Sequence, residues 1–549
     1  MPRTPLLRAL RRLADDHRAA EQRGLPPAEL RGQQHELAYT RGELLKRGAV
    51  AGAGVVAGSA FLADRARSAT APRIAIVGGG IAGLTAALTL ADKGIASTIY
   101  EASPSRIGGR MHTNDDGYWN DAQVSEWCGE LIDTNHKLIQ ALAQRFKLPL
   151  ADTFAGYPNG STDTYWFTNY GYYSTDQADK DFQPIHNTLQ GQVQATSYPT
   201  TYKIHTDAGI AFDQMTAYDW IETYVDGGHR SPMGRLLDAA YNEEYGAETK
   251  DQAALNLMYL LGYNASPGNF SVYGKSDERY HTIGGNEQIP QAIANYLGRQ
   301  TIKQGYAMQA IKLNGDGTVA LTFSTDGATQ TVVADHVVLA MSFSVLRTLD
   351  YSGAGFDPLK KTAITQLGSG RNAKLQLQFK TRYWNTQGPW GISNGNVYTD
   401  NGFQNMWDTS AGEPGGKSGL VVDYAGGNYA GSFKPSTPYS NASENAQVAS
   451  YAKAWLQKAE AVFPGITKQW NGKATLSTPF LDPLLNCSYS YWKPGQYVGF
   501  SGYEGVAQGP SLQIHFAGEH CSQDFQGYME GGAQEGARAA REILAALKK

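Results

Sequence analysis

An apolar run followed by closely spaced glycines constrains this chain more than any other feature. Ile74–Val77 is short and apolar, and Gly78, Gly80, Ala82 and Gly83 follow it at the start of a helix-forming segment. Such a run is typical of a buried parallel strand. A G-x-G-x-x-G turn lets a pyrophosphate approach the backbone, and it opens a helix whose free N–H groups bind phosphate. The segment therefore predicts a strand, a tight turn and a helix that bind a dinucleotide.

A second strand and a second glycine segment come next. Ser97–Tyr100 is predicted to be a strand, and Glu101 follows it where a carboxylate accepts hydrogen bonds from ribose hydroxyls. Arg106–Arg110, with two adjacent glycines, lies just beyond. A nicotinamide-binding fold does not need this segment, whose glycines permit close backbone approach and whose arginine can neutralise a pyrophosphate.

These motifs resemble those of the flavin-containing amine oxidase superfamily, which covers monoamine, polyamine and L-amino acid oxidases. Arg106–Arg110 resembles its second glycine motif. Near the other end of the chain, Phe516–Glu519 and then Gly527–Gly531 are similar to its C-terminal flavin motif. The matching organisation spans roughly residues 72–549, and the resemblance is strongest to the L-amino acid oxidase group.

The resemblance implies FAD as the cofactor and assigns residues to it. Met308 would hold the adenine side through its backbone, Glu519 would bind the ribityl chain, and the helix opening at Met529 would stabilise negative charge on the reduced flavin. The other residues that the resemblance assigns to FAD, beyond the first glycine turn, are Glu101, Arg106, Gly109, Arg110, Gly129 and Gly527.

At 549 residues the chain is too long for one ordinary core. The predicted fold class is α/β, a two-lobed, doubly wound FAD-binding fold with an interleaved α+β substrate-binding domain. The FAD-binding domain is assigned to 72–135, 279–345 and 480–549, and the substrate-binding domain to 136–278 and 346–479. Within the latter, the polar and aromatic stretch Tyr157–Tyr202 is predicted to form loops or an edge region, and 212–262 to be helical.

Lys374 is the predicted catalytic residue. It lies in Asn372–Phe379, where apolar and polar residues alternate as in a strand with one buried face. The segment is similar to the strand that, in this family, brings a lysine to a water beside the flavin. A cation there would assist the transfer of electrons to dioxygen by stabilising the developing negative charge.

Aromatic and charged residues are assigned to the substrate. Tyr489, Trp492 and Tyr528 are the candidates for an aromatic cage that orients the amine. Cys487 is read as a small buried residue rather than as a covalent attachment point for the flavin.

The expected arginine for a substrate carboxylate is missing. By resemblance to venom-type L-amino acid oxidases that residue would stand at position 131, which is Leu131 here, so Arg371 becomes the substitute candidate. Glu130 and Asp133 could instead meet a cationic substrate tail, although an acidic residue here could simply cap the helix predicted over 134–146.

Composition excludes several other classes of protein. The 47 basic and 51 acidic side chains give a net charge of −4, without the basic excess of a nucleic-acid-binding protein. The three cysteines are too few and too scattered for a disulfide framework or a zinc site, so no metal is expected. The expected partners are a small-molecule amine and dioxygen, without stable membrane insertion, and formation of a homo-oligomer stays open.

The N-terminal segment resembles an export signal. Residues 1–71 contain a basic stretch at 41–47, a weakly apolar run and an A-x-A pattern ending at Ala71. The order is that of a twin-arginine signal, with Gly42 in place of the second arginine. A secreted or periplasmic protein is therefore predicted, with a cytoplasmic protein carrying an N-terminal extension as the alternative.

The predicted reaction is oxidative deamination. Hydride transfer from the carbon beside the amine to flavin gives an imine, dioxygen reoxidises the flavin to give hydrogen peroxide, and water releases a carbonyl compound and ammonia. An L-amino acid, possibly basic such as L-arginine or L-lysine, is the favoured substrate, and monoamine or polyamine oxidation is the alternative. A carotenoid-desaturase-like enzyme and a flavoprotein that only relays electrons are the less favoured interpretations.

Overall fold

The computed structural model describes residues 71–263, 265–414 and 416–548. The predicted signal-like segment, up to Thr70, lies outside the described residues. The segment from Pro72 onward forms one compact unit.

The described chain contains strands and helices in a mixed order. The strands are β1 (Ile74–Val77), β2 (Thr98–Glu101), β3 (Thr113–Asn114), β4 (Ser125–Glu126), β5 (Leu150–Asp152), β6 (Thr162–Phe167), β7 (Gly171–Tyr173), β8 (Tyr280–Thr282), β9 (Ile302–Gln304), β10 (Ala307–Leu313), β11 (Val319–Thr325), β12 (Ala328–Ala334), β13 (His336–Leu339), β14 (Gly368–Ser369), β15 (Asn372–Phe379), β16 (Ser393–Thr399), β17 (Asn405–Asp408), β18 (Gly419–Gly426), β19 (Tyr439–Asn441), β20 (Trp470–Ser477), β21 (Ser490–Tyr491) and β22 (Ile514–Phe516). The α-helices are α1 (Ile81–Ala91), α2 (Lys137–Arg145), α3 (Thr175–Thr196), α4 (Asp207–Gln214), α5 (Ala217–Tyr224), α6 (Pro232–Tyr245), α7 (Ala254–Gly262), α8 (Gln288–Leu297), α9 (Phe343–Leu346), α10 (Pro358–Gln366), α11 (Gly427–Ser432), α12 (Ala446–Val462), α13 (Gln496–Phe500) and α14 (Met529–Leu547).

A five-stranded parallel sheet contains the predicted dinucleotide-binding strand. Its order is β22-β13-β1-β2-β9, and every neighbouring pair is parallel. Strand β1 is central and buried on both faces: Ile74 and Ile76 pack with α1 and α14, whereas Ala75 and Val77 pack with the antiparallel sheet β10-β11-β12. The predicted strand, turn and helix are therefore confirmed, and their place is the middle of the sheet.

A second, eight-stranded sheet carries the predicted catalytic strand. Its order is β19-β20-β15-β18-β17-β16-β6-β7, and only β16 and β6 pair in parallel within it. Helix α12 covers one face together with the apolar side chains of β15, and helices α3 to α7 form a further core beside the sheet. The mixed α/β class is confirmed.

The expectation that β15 has one solvent-exposed face is wrong. All eight of its residues are buried. Leu375 and Leu377 face the α12 core, whereas Gln376 Nε2 donates to the carbonyl oxygen of Glu126 at 3.0 Å and Gln378 Nε2 donates to Gln123 Oε1 at 2.7 Å. The polar residues alternate because they pair with another chain segment, not because they meet water.

The prediction of loops or an edge region over Tyr157–Tyr202 is right for β7, which lies at the edge of the eight-stranded sheet, and wrong about loops. This stretch contains β6, β7 and the 22-residue helix α3. Helix α3 buries Ala178, Phe182, Ile185 and Leu189, whose spacing of three and four residues is the helical period, hidden among polar neighbours. The helices predicted within 212–262 are confirmed as the end of α4 and the whole of α5, α6 and α7.

The two sheets draw on different parts of the sequence. The parallel sheet takes its strands from 72–135, 279–345 and 480–549, and the eight-stranded sheet takes its strands from 136–278 and 346–479. The domain boundaries themselves stay a prediction. In the described part of the chain no helix is long and apolar enough to cross a membrane.

Candidate active site

A cavity of about 520 Å³ is lined by residues of both sheets. This volume is typical of ligand pockets, which occupy roughly 300–1,000 Å³. We call the part formed by the glycine segments, with Glu101, Arg106 and Met308, the nucleotide side. We call the part formed by seven aromatic residues the aromatic side; these are Tyr245, Tyr273, Tyr398, Trp407, Tyr424, Tyr489 and Tyr528.

The two glycine segments meet on the nucleotide side. Gly78 has φ +107°, and a Cβ there would lie 2.7 Å from the carbonyl oxygen of Ala340. A Cβ on Gly109 would lie 3.2 Å from Cα of Gly80. Only glycine leaves the backbone bare at these positions, so a bound group can approach it closely.

Gly83 has a packing role. A Cβ on it would lie 2.0 Å from the carbonyl oxygen of Gly78, so its missing side chain lets α1 pack against the turn, as the motif requires. It is absent from the cavity lining. The other residues predicted to bind the cofactor all line the cavity; they are Gly78, Gly80, Ala82, Glu101, Arg106, Gly109, Arg110, Gly129, Met308, Glu519, Gly527 and Met529.

Glu101 is fixed by backbone donors. Its carboxylate oxygens accept hydrogen bonds from the N–H of Gly79 at 2.6 Å and of Ser103 at 2.7 Å. Burial raises the pKa of Glu101, although these two hydrogen bonds oppose the shift. The carboxyl group is thereby presented to the cavity beside the N-terminus of α1, where a ribose would carry its hydroxyls.

Arg110 and Glu519 join the second glycine segment to the C-terminal motif. Arg110 Nη1 donates to Glu519 Oε1 at 2.9 Å, and Glu519 Oε2 accepts from the N–H of Gly527 at 2.9 Å and from Ser490 Oγ at 2.7 Å. Burial alone would raise the pKa of Glu519, but the Arg110 guanidinium outweighs it and holds the pKa below its usual value. The pair therefore stays ionised and fixes the start of α14.

The nucleotide side has the features that FAD requires. Two helix N-termini, at Ile81 and Met529, border the cavity and can interact with negative charge. Where the two glycine segments meet, the absence of side chains on Gly80 and Gly109 leaves room for a bound group. Arg106 lies alongside with its guanidinium donating to the carbonyl oxygens of Ile107 and Gly109.

Lys374 reaches the cavity as one half of a buried ion pair. Its Nζ lies 2.6 Å from Glu130 Oε2, and the two side chains are only 7% and 6% exposed. Glu130 Oε1 accepts a hydrogen bond from Trp407 Nε1 at 2.9 Å. Both oxygens of Glu130 are thus already engaged by the protein, which gives this residue a role in holding Lys374 rather than the predicted role of binding a substrate tail.

Tyr489 and Tyr528, two of the three predicted cage residues, lie on the aromatic side. Tyr528 Oη donates to Glu244 Oε1 at 3.2 Å. Tyr489 Oη donates to the backbone carbonyl oxygen of Glu244 and lies 3.0 Å from Tyr424 Oη. Glu244 therefore anchors both aromatic rings.

Two residues that were predicted to bind the substrate, Trp492 and Arg371, do not line the cavity, so these two predictions are wrong. Trp492 is 4% exposed and packs against Tyr497 and Phe500 in the core rather than against the cavity. Arg371 is exposed and lies outside the cavity lining. It precedes strand β15, and its backbone N–H donates to the carbonyl oxygen of Gly246. Cys487 is buried and accepts a hydrogen bond from Ser344 Oγ at 2.9 Å, in line with its reading as a buried residue.

Three carboxyl groups on the cavity were not predicted from the sequence: Glu243, Glu244 and Glu278. Glu243 and Glu244 lie in the last turn of helix α6, whose C-cap is Gly246. A carboxylate is unfavourable at the negative end of a helix dipole, so two adjacent glutamates at that place were a signal for a function. Glu278 has φ +47°, a conformation that non-glycine residues rarely adopt and that clusters at functional sites.

Glu243 is buried, Glu244 and Glu278 are half-buried, and none of the three has a compensating cation within the described residues. Burial raises the pKa of Glu244 to about 8 and raises those of Glu243 and Glu278 well above their usual value. Within the described ranges none of the three forms an ion pair with Lys, Arg or His. The aromatic side therefore holds acidic groups that a bound cation would ionise.

The fold and this cavity define the class of the protein, a flavin-dependent oxidoreductase. A family model described as flavin containing amine oxidoreductase matches residues 81–544, and the chain belongs to that family. FAD is accordingly its cofactor, and small-molecule amines and dioxygen are its reactants. Within the described residues no group of His, Cys, Asp or Glu could hold a metal ion.

Individual relatives are similar at low identity. L-amino acid oxidase bordonein-L of Crotalus durissus terrificus is 22% identical over 494 residues, covering 86% of each chain. Among solved structures, cyclohexylamine oxidase from Brevibacterium oxydans IH-35A superposes with a TM-score of 0.71 at 20% identity, covering 87% of this chain and all of that one. Putrescine oxidase bound to putrescine has a TM-score of 0.68 at 17% identity, covering 86% of this chain and 99% of the other.

Proposed function

We propose that this chain is an FAD-dependent oxidase of amines that carry a second positive charge, with diamines and polyamines as the best-fitting class. The observation that carries the proposal is the set of three uncompensated carboxyl groups on the aromatic side, Glu243, Glu244 and Glu278. Burying a cation beside them is favourable, because each carboxylate otherwise lacks a counter-charge.

The same side offers little to a substrate carboxylate. Of the described arginines, Arg106 and Arg110 line the cavity, and both already donate to protein oxygens on the nucleotide side. Lys374 is paired with Glu130. A carboxylate placed among buried acidic groups would need a cation that this lining does not present.

When bound, FAD supplies the redox chemistry, which is the removal of a hydride from the carbon that bears the amine and the return of both electrons to dioxygen as hydrogen peroxide. The protein supplies orientation and charge. Tyr489 and Tyr528 wall the reacting amine, Glu243 and Glu278 hold the charge at its other end, and the aromatic rings exclude water. Lys374, held in place by its ion pair with Glu130, places a positive charge where electron transfer to dioxygen develops negative charge.

Oxidation of a basic L-amino acid is the second candidate. It is supported by the similarity to L-amino acid oxidases over 86% of the chain. In that case the acidic groups would bind the side-chain cation of L-lysine or L-arginine, and tyrosine hydroxyls would have to serve the α-carboxylate.

A substrate panel with peroxide detection tests the proposal. Putrescine, cadaverine and spermidine are compared with benzylamine, L-lysine, L-arginine and L-leucine at pH 7 to 9. We expect the highest kcat/KM for a diamine or polyamine. In Glu278→Gln this value should fall, while kcat/KM for benzylamine stays unchanged because benzylamine has no second charge. Peroxide from L-lysine or L-arginine with none from any diamine would overturn the assignment.

A further inference from the structure

Glu244 lies at the start of a hydrogen-bonded chain that leads away from the cavity. Its carboxyl group accepts a hydrogen bond from Tyr528 Oη at 3.2 Å. Tyr528 Oη lies 3.3 Å from Ser276 Oγ, and Ser276 Oγ donates to Asp133 Oδ2 at 2.6 Å. Asp133 is 2% exposed and is absent from the cavity lining. Two hydroxyl groups thus connect a carboxyl group on the cavity with one behind its wall.

An amine substrate has a proton to lose in this cavity. Alkylamines have pKa values of about 10, like that of lysine, so the substrate enters as an ammonium ion. Hydride leaves the neighbouring carbon only when the nitrogen lone pair is free to form the imine. The ammonium must therefore lose a proton before the hydride leaves, and a carboxyl group within reach of the bound amine can take it.

We propose that Glu244 accepts the ammonium proton of the substrate and that Tyr528 and Ser276 pass this proton to Asp133. The inference rests on the proposed function only in that an amine enters as an ammonium ion and is oxidised beside Tyr489 and Tyr528. It assigns Glu244 as a catalytic base and Asp133 as its proton store.

Atoms and electrons balance in this step. One N–H bond of the ammonium breaks, an O–H bond forms on Glu244, and the nitrogen keeps the electron pair. The Tyr528 O–H, which donates to Glu244 before the step, turns to donate to Ser276. The proton on Glu244 then moves to the oxygen of Tyr528, the hydroxyl proton of Tyr528 moves to Ser276, and that of Ser276 moves to Asp133. Each hydroxyl accepts one proton and gives one, and nothing is oxidised or reduced.

The charged groups around the chain are consistent with this role. Burial raises the pKa of Glu244 to about 8 and that of Asp133 to about 7, so the proton can reside on either carboxyl group near neutral pH. The titratable neighbours of Glu244 come from every element packed against it; they are Tyr241, Glu243 and Tyr245 on its own helix, Tyr424 on β18, Tyr489 and Tyr528 from the C-terminal segments, and Asp133, Tyr273 and Glu278 from further segments. The negative charge of Asp133 contributes to the raised pKa of Glu244.

The experiment compares the pH dependence of the second-order rate constant for anaerobic flavin reduction, measured at low amine concentration, in the holoenzyme and in Glu244→Gln. This constant reports the ionisation of the free enzyme and the free amine. Glutamine keeps the shape and the acceptor for Tyr528 but takes no proton, so the ammonium must ionise by itself. The midpoint of the rate profile should move from near pH 8 toward about 10. The rate loss is then about 100-fold at pH 7 and less than about 3-fold at pH 10. A loss of equal size at every pH would show a structural role and overturn the proposal.

Two further variants test the chain and its specificity. Glu243→Gln alters the adjacent carboxyl group, which accepts from Tyr273 and lies off the chain. The base remains in this variant, so its midpoint should stay well below that of Glu244→Gln. Asp133→Asn removes the charge that raises the pKa of Glu244, and its midpoint should fall to lower pH. An unchanged midpoint in Asp133→Asn would remove Asp133 from the proposal.

A binding measurement supports the kinetics without turnover. The diamine 2,5-dimethylhexane-2,5-diamine has no hydrogen on either carbon that bears nitrogen, so it binds without being oxidised. Calorimetry in two buffers of different ionisation enthalpy should show about one more proton released in the wild type than in Glu244→Gln at pH 7, and no difference at pH 9.5. Equal proton release in both proteins at pH 7 would contradict the proposal.

Failure of the proposed function is distinguishable from failure of this step. If the panel finds that only monoamines or L-amino acids are oxidised, the assignment of diamines is wrong, and the pH profiles are measured with the amine that reacts. If the profiles of wild type and Glu244→Gln then run parallel, the proton route is wrong whatever the substrate.

Discussion

Replacing Lys374 with methionine should affect stability through the charge that it leaves behind. Lys374 and Glu130 are 2.6 Å apart with side chains 7% and 6% exposed, so the variant buries an uncompensated carboxylate. Breaking a buried pair in this way costs about 3–5 kcal/mol. The hydrogen bond from Trp407 to Glu130 at 2.9 Å remains, and bonds to charged groups contribute about 1.5–3 kcal/mol. We therefore expect Lys374→Met to lower the free energy of unfolding by about 3 kcal/mol, the lower end of this range.

The double variant Lys374→Met/Glu130→Gln separates charge from packing. It removes both charges and keeps an acceptor for Trp407, so it should regain about 2 kcal/mol relative to Lys374→Met. The measurement is urea unfolding at a fixed, saturating concentration of FAD for the wild type, both single variants and the double variant. Equal stability of the Lys374→Met and double variants would refute the reasoning, because the carboxylate would then carry no penalty.

The same variants test the role of Lys374 toward dioxygen. In stopped-flow experiments Lys374→Met should retain FAD, reoxidise roughly 100-fold more slowly, and change much less in anaerobic reduction, since a positive charge is needed only when electrons leave for dioxygen. Glu130→Gln keeps the cation and should slow reoxidation by a smaller factor. Unchanged reoxidation in Lys374→Met would remove this residue from the mechanism.

Three further outcomes follow from the geometry. Gly78→Ala should yield protein without FAD, read from flavin absorbance after purification, because its Cβ would lie 2.7 Å from a backbone oxygen, whereas Gly499→Ala, with open space around it, should load normally. Arg371→Ala and Trp492→Phe should leave KM unchanged because both residues lie outside the cavity, and Trp492→Phe should lower stability by about 1 kcal/mol. We propose that residues 1–71 are an N-terminal extension with an export signal, so deletion of residues 1–68 should leave an active, FAD-loaded enzyme, and loss of flavin would contradict this.

The nucleotide side could be predicted from sequence because its function depends on the backbone. Gly78, Gly80, Gly83 and the helix starts act through local conformation and close approach, and both are encoded within a few neighbouring residues. The strand, turn and helix at 74–91 were therefore predicted close to their observed positions. The C-terminal helix from Met529 was predicted on the same grounds.

The aromatic side could not be predicted in this way because its contacts join distant segments. Glu130 and Lys374 were each singled out, yet with separate roles, and nothing in their local sequence shows that they form one ion pair. The alternation in β15 correctly gave a strand, but it cannot distinguish water from a buried polar partner such as the carbonyl oxygen of Glu126. Arg371 and Trp492 were chosen by residue type, and residue type does not determine which way a side chain faces.

The two sets of carboxyl groups in the cavity meet different electrostatic needs. Glu130 is fully engaged, by Lys374 and Trp407, and so keeps one positive charge in place whether or not substrate is present. Glu243, Glu244 and Glu278 are left without a cation, and desolvation raises their pKa values, which favours the protonated form until a cation arrives. Oxidation of an amine needs a group that takes a proton, whereas reduction of dioxygen needs a charge that stays. A single paired cluster could not do both, because an acid already neutralised by a lysine is a poor base for a substrate ammonium. The separation of paired from unpaired carboxyl groups therefore lets one cavity carry out both half-reactions.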